Sequence, residues 1–264
     1  MIIQSKRVWV MGHFLEAQLE VEDGKIKNVL AYGAKEVDKD YGDKRIVPGF
    51  IDIHTHGAYG FDTNDAEPEG LRNWMKNIPE EGVTSICPTT ITQTEEVLTK
   101  AVRNVANVVK EGYEGAEILG IHFEGPYLDM KYKGAQPEQC IVKPDVEQFK
   151  RYQTAADGLI KVITMATEQD DDFKLTKYCA ETGVRVSIGH SAATIEEAGM
   201  AIANGATGMT HIFNGMTPFH HRKPGLVGAA MRFRDTFGEV ICDGNHSTPD
   251  ALNDLFMAKG RDYT

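Results

Sequence analysis

His54 and His56 stand two residues apart at the end of a mostly apolar run, in the segment Pro48-Gly49-Phe50-Ile51-Asp52-Ile53-His54-Thr55-His56-Gly57. Residues i and i+2 of a strand point to the same side, so the pair presents two imidazoles together, half of a metal site. Glu124, His190 and His211 follow at the ends of three further apolar runs. Four imidazoles and one carboxylate are a donor set suited to zinc, iron(II) or a similar divalent ion. Such an ion acidifies bound water and polarises a carbonyl oxygen, which is the chemistry of amide hydrolysis. Each residue alone has a plainer reading: a satisfied histidine pair at a strand end, a capping or salt-bridged Glu124, a turn residue in Gly189-His190-Ser191, a core His211 bonded to backbone. Five such residues in phase favour a site.

The elements that must hold these residues are read from periodicity. Apolar runs predict strands over 46–53, 83–88, 118–123, 160–166, 185–188, 208–212 and 239–242, the first of them buried on both faces. Between them, Leu71, Trp74, Met75 and Ile78 form a helical stripe, and Leu98, Ala101, Val102, Val105 and Val109 form another. Thr194 with Glu197 is a capping-box start for a helix ending near Asn204-Gly205, and Thr248-Pro249 opens one that stops at Gly260. Strands alternating with helices predict a parallel α/β sheet, either open and doubly wound or closed as a TIM-like (β/α)8 barrel. The polar residues decide between them. His54 and His56, Thr89-Thr90, Glu124, Glu168, His190, His211 and His246 all follow strands at their C-terminal ends, where a barrel places its active site. No Gly-x-Gly-x-x-Gly follows the first strand, as a dinucleotide-binding open sheet would require. Only about seven strands are counted where a barrel needs eight, and the eighth is expected to begin near Thr264, so the chain reads as lacking its C-terminal part. Residues 1–45 read as a small β-sandwich-like unit with a hairpin turn at Asp23-Gly24, and 46–264 as the barrel.

The chain has 264 residues, 41% hydrophobic and 25% charged, enough for one large domain with a small appendage. No apolar run approaches the roughly 20 residues of a membrane helix, and a cytoplasmic enzyme is expected. Cys87, Cys140, Cys179 and Cys242 are widely spaced and indicate neither a disulfide framework nor a thiolate zinc site. A formal charge of −11 argues against nucleic acid or an anionic membrane as partner. An anionic substrate then needs a local basic pocket, for which His220-His221-Arg222-Lys223 is the candidate, although by composition alone that run reads as a solvated loop.

The 48–57 segment resembles the opening strand of the amidohydrolase superfamily. His122-Phe123-Glu124-Gly125-Pro126-Tyr127, Gly189-His190-Ser191, Thr210-His211-Ile212-Phe213-Asn214-Gly215-Met216 and Asp243-Gly244-Asn245-His246 narrow the resemblance to its N-acetylglucosamine-6-phosphate deacetylases. The resemblance implies hydrolysis of N-acetyl-D-glucosamine 6-phosphate to D-glucosamine 6-phosphate and acetate. It implies that Glu124, His190 and His211 hold a principal zinc or iron ion, and that His54 and His56 allow a second, bridged by Glu124. By the same resemblance Arg222 and His246 bind the sugar phosphate, with Asn214, Gly215, Ala135 and Gln136 adding substrate contacts. Gln136 stands where some members carry histidine. A homodimer is implied, because part of the pocket can come from a second subunit. The family's general acid/base, an Asp at the end of strand eight, is expected beyond Thr264. Two other readings stay open: a related amide hydrolase acting on cyclic amides or N-acyl amino acids, and a non-catalytic remnant that binds sugar phosphate or metal.

Overall fold

In the computed structural model, which describes residues 1–264, the chain divides into two compact units, Met1–Phe50 and Ile51–Thr264. The first unit is a five-stranded sheet. Its strands are β1 (Ile2–Val10), β2 (His13–Glu22), β3 (Lys25–Ala31), β4 (Lys39–Asp40) and β5 (Arg45–Ile46). The order is β3-β2-β1-β4, with β5 also on β1; β1, β2 and β3 are antiparallel, and β4 and β5 add in parallel. Asp23 and Gly24 both take positive φ, as a tight type I′ hairpin requires. Val8, Ala17 and Leu19 form a small core. Buried Gln18 donates to Gln4, which donates in turn to Asp40, so the interior polar groups are satisfied by one another.

The second unit begins within β6 (Phe50–Thr55) and continues with a small hairpin of β7 (Gly57–Ala58) and β8 (Phe61–Asp62), α1 (Pro68–Asn77), β9 (Val83–Thr90) and α2 (Glu95–Glu111). It continues with β10 (Glu117–Ile118), β11 (Ile121–Glu124), α3 (Val146–Ala155), β12 (Ile160–Met165), α4 (Lys174–Glu181), β13 (Arg185–Ile188), α5 (Ile195–Ala203), β14 (Ala206–Met209), α6 (Gly225–Arg232), β15 (Phe237–Gly238) and α7 (Pro249–Lys259). β10 and β11 are two pieces of one strand position, because both pair with β9. The sheet therefore has seven positions, in the order β6, β9, β10/β11, β12, β13, β14, β15. That is chain order without a reversal, the arrangement of a barrel and not of a doubly wound sheet. The sheet curls so far that His54, on the first strand, meets Glu239, next to the last.

The helical stripes are buried as the periodicity predicts: Leu71, Trp74, Met75 and Ile78, then Leu98, Ala101, Val102 and Val105, pack into one core with sheet residues such as Ile86, Ile121 and Ile163. Thr194 and Glu197 make the reciprocal capping box of α5. Thr248 caps α7, which stops at Gly260 with φ of 81°. Buried Lys259 at the end of α7 donates to the carbonyls of Ala230 and Phe233, satisfying acceptors in and just beyond the last turn of α6.

Four expectations change. The strand foreseen over 239–242 is instead the short β15, Phe237–Gly238, and Glu239 to Cys242 follow it outside the ladder. The strand foreseen over 46–53 is two strands, β5 and β6, divided at Pro48, which has no N–H to give to a ladder. Within residues 1–264 β6 is not buried on both faces: Phe50 and Ile51 are 70% and 63% exposed. The strand foreseen over 208–212 ends at Met209, because the chain turns through positive φ at His211 and Phe213. Among the cysteines, Cys87, Cys140 and Cys179 are buried and Cys242 is exposed, all as free thiols. No helix is long and apolar enough to cross a membrane.

Candidate metal centre

Glu124 is the last residue of β11 and is almost fully buried. His54 lies on β6 and His56 just past it; His190 and His211 each follow the end of a strand, β13 and β14, by two residues. Parallel strands in sequential order put all five at the same end of the sheet. Glu124 Oε1 is 3.2 Å from His190 Nε2, 3.2 Å from His211 Nε2 and 3.3 Å from His54 Nε2, and its Oε2 is 3.5 Å from His56 Nε2. The five residues foreseen as ligands are therefore brought together, in two groups that share Glu124.

The other ring nitrogens decide what the centre can hold. His190 Nδ1 lies 2.8 Å from the Tyr132 carbonyl oxygen, His211 Nδ1 3.0 Å from that of Asn214, and His56 Nδ1 3.2 Å from that of Thr89. A carbonyl only accepts, so each Nδ1 carries a hydrogen and Nε2 is the nitrogen that can give its lone pair to an ion. His190 Nε2 and His211 Nε2 face each other at 3.2 Å, both within hydrogen-bond reach of Glu124 Oε1. Imidazole nitrogens converging on a carboxylate fit a divalent cation, for which they are a common ligand set.

Burial pulls the His54 pKa down, but hydrogen bonds to Glu124 and Glu239 overcome it and raise it to about 10. Burial lowers His56 below its ordinary value. Glu124 would be raised by burial, yet its contacts with His190, His211 and His54 hold it well below the usual carboxylate range, so it is an anion.

The supports around the centre are specific. His190 and His211 hold φ of 47° and 30°, a left-handed conformation costing roughly 1–3 kcal/mol for a residue with a side chain, and such strain clusters at functional sites. Gly215, with φ of 58°, lies against the His190 ring: a Cβ there would stand 3.0 Å from His190 Nδ1. Glu168 accepts from Ser191 Oγ at 2.8 Å and from the Ala192 N–H at 2.6 Å, pinning the loop that carries His190. Thr89 Oγ1 accepts from the Thr55 N–H, fixing the chain between the two β6 histidines. Gln136 is buried; its Nε2 donates to Glu124 Oε2 at 2.7 Å and its Oε1 accepts from the Thr92 N–H at 2.8 Å.

Of the other residues singled out from sequence, Asn214 and Gly215 lie in the loop after His211 and are half-buried, and Ala135 is exposed one residue before Gln136. Arg222 is exposed on the 220–223 turn. His246 is exposed and pairs with Asp243. No hydrogen bond or ion pair joins Arg222 or His246 to the cluster; Asn214 Nδ2 reaches Ser247 Oγ at 3.4 Å and so links the His211 loop to the His246 loop.

Two buried polar residues were not singled out in the sequence. His122 donates from Nδ1 to the Ile53 carbonyl at 2.7 Å and accepts at Nε2 from Thr164 Oγ1 at 2.7 Å, and burial lowers its pKa to about 4. Glu239 stands 3.0 Å from His54 Nδ1. His122 carried a signal, since it lies two residues before Glu124 on the same strand and so faces the same way. Glu239 carried only the oddity of a carboxylate at the head of an apolar run.

Comparison with known proteins agrees with this architecture. The model of the amidohydrolase family matches residues 45–254, and the chain belongs to that family. It is 42% identical over 247 residues to N-acetylglucosamine-6-phosphate deacetylase of Bacillus subtilis (strain 168), covering 91% of this chain and 62% of that protein. It is 32% identical over 245 residues to N-acetylgalactosamine-6-phosphate deacetylase of Escherichia coli O157:H7, covering 93% and 63%. Among solved structures, N-acetyl-D-glucosamine-6-phosphate deacetylase of Mycobacterium smegmatis superposes with a TM-score of 0.92 at 29% identity, over 98% of this chain and 68% of that one. The chain thus spans less than two thirds of the length of the curated relatives it matches.

Proposed function

We propose that the chain is the metal-binding body of a deacetylase that hydrolyses N-acetyl-D-glucosamine 6-phosphate to D-glucosamine 6-phosphate and acetate. One observation carries the reading: four imidazoles and a buried carboxylate converge at the strand ends of an amidohydrolase barrel. The likeness to deacetylases of two N-acetylhexosamine 6-phosphates supports the substrate class.

Within this reading Glu124, His190 and His211 hold a principal ion, and His54 and His56 a second with Glu124 between them. Zinc and iron(II) suit the donors, with one or two ions per subunit. When bound, such an ion supplies Lewis acidity for the acetamide carbonyl and acidified water at neutral pH. Gln136 holds Glu124 in register and has one amide hydrogen left over for substrate. Asn214, Gly215 and Ala135 border the same loops and are assigned to sugar contacts. Arg222 and His246 are assigned to the phosphate, and Arg suits it because its planar fork donates two bonds to phosphate oxygens. Their exposure is consistent with a pocket completed by a second copy in a cytoplasmic homodimer. By the family resemblance, proton transfer is assigned to an aspartate outside residues 1–264; the cluster's own carboxylates are engaged, Glu124 by the histidines and Gln136, Glu239 by His54 and Ser187.

Acetate release tests this, measured with zinc or iron(II) present on the 6-phosphates of N-acetylglucosamine and N-acetylgalactosamine and on unphosphorylated N-acetylglucosamine. Turnover of the first, with little on the sugar lacking phosphate, is expected from a chain extended to the length of its relatives; residues 1–264 alone are expected to be slower by roughly 10²–10⁴-fold, the usual worth of a positioned proton carrier. No acetate from the extended chain overturns the substrate assignment. An equal rate from residues 1–264 overturns the placement of the aspartate.

A further inference from the structure

We propose that Glu239 is a positioning residue that sets the affinity of the His54/His56 half of the centre for its ion. This rests on the two-ion reading above and deepens it. Three of the four histidines anchor Nδ1 on a neutral backbone carbonyl; His54 alone anchors it on a carboxylate, Glu239 Oε2, at 3.0 Å. With Nδ1–H held there, Nε2, 3.3 Å from Glu124 Oε1, is the nitrogen left to give its lone pair to an ion when one displaces its proton. A charged acceptor makes the stronger hydrogen bond and leaves the imidazole a more basic ligand, so this histidine is tuned where the other three are only oriented.

Glu239 is built to hold that post. Its N–H donates to the Met209 carbonyl and its own carbonyl accepts from the Ile212 N–H, which fixes its backbone beside β14. Its second oxygen accepts from Ser187 Oγ at 3.3 Å, and its side chain is only 12% exposed. It reaches from next to β15 to β6, and so orients a histidine on a strand with which its own does not pair.

His54, His122 and Glu239 also lie close enough together to suggest a separate cation site. The hydrogen bonds exclude it. Both nitrogens of His122 are committed, to Ile53 and Thr164, and His54 cannot turn lone pairs toward Glu124 and Glu239 at once. The group is the outer layer of the centre.

Zinc titration against a competing chelator, read as stoichiometry and stepwise affinity, tests the proposal on the protein, on Glu239→Gln and on Glu239→Ala. Thermal unfolding of the chelator-stripped forms is measured beside it. The unsubstituted protein binds two ions. Glu239→Ala weakens the second by about 10–100-fold, as loss of an outer partner does, and leaves the first ion and the metal-free unfolding midpoint in place. Glu239→Gln, whose amide oxygen still accepts from Nδ1–H but carries no charge, falls between them. Second-ion affinity unchanged in Glu239→Ala overturns the proposal. So does a variant that loses both ions in parallel with a lowered midpoint, which marks a merely structural residue. An unsubstituted protein that takes up no zinc overturns instead the metal-centre reading on which this one stands.

Discussion

The two halves of the centre are held differently. His190 and His211 follow β13 and β14, interior strands with neighbours on both sides, and each ring is locked between Glu124 and a backbone carbonyl. His54 and His56 come from the end of β6, and their Nδ1 atoms are anchored on other strands, on the Glu239 carboxylate beside β15 and on the Thr89 carbonyl of β9. The first pair sits on strained backbone, and the second relies on reaching across, to Glu239 and Thr89. The difference teaches that one shared carboxylate can join an ion position held by backbone carbonyls to one held in part by a second carboxylate.

Glu124→Gln breaks the comparison altogether, because both halves share that carboxylate. The expected outcome is loss of both ions by elemental analysis, with affinity falling more than the roughly 100-fold that an outer partner can cost. Retention of even one ion at full affinity would mean that the halves do not depend on the shared oxygen atoms. His56→Ala sharpens the comparison with a smaller effect. One ion is expected to remain at unchanged affinity, and the stoichiometry to fall from two to one. A protein that lost both ions on this change would show the halves to be a single unit.

The sequence made some of this legible and not the rest. His54 and His56 were readable as a pair because strand periodicity alone aligns them, and Glu124, His190 and His211 because apolar runs end just before them. The helical stripes, from Leu71 to Ile78 and from Leu98 to Val105, were readable for the same reason: a buried face leaves a period. Composition shows that a residue is apolar but not what lies against it, so Phe50 and Ile51 looked like core although they are exposed within residues 1–264. Pro48 was in plain sight, but the apolar residues on either side of it masked the break between β5 and β6. The partners that orient the rings were not legible at all. Glu239 lies 185 residues from His54, and no local pattern announces such a contact. Positive φ at His190 and His211 was equally hidden, because histidine carries no signal for it as glycine does.

The smallest expected effect is a pH dependence that separates the metal-free and loaded forms, again through the His54/His56 half. His54 faces Glu124 on one side and Glu239 on the other, with the His122 ring against it, and its pKa is raised to about 10. Between its ordinary pKa of 6.5 and 10 the folded chain binds a proton that the unfolded chain does not. The stabilisation from this group is therefore full below pH 6.5 and is lost as pH rises toward 10. His122 and His56 act in the opposite sense. Burial lowers both, His122 to about 4, so the unfolded chain binds more protons between about pH 4 and 6.5 and stability rises across that range. The chelator-stripped protein should then unfold at the highest temperature near pH 6.5, with each kcal/mol lost on either side lowering the midpoint by about 2–4 °C. An ion held at His54 Nε2 displaces the proton, so the decline above pH 6.5 should flatten in the zinc-loaded protein while the rise from pH 4 persists. Calorimetric midpoints from pH 4 to 10, with and without zinc, check this; parallel alkaline limbs in the two forms would place the proton somewhere other than on His54.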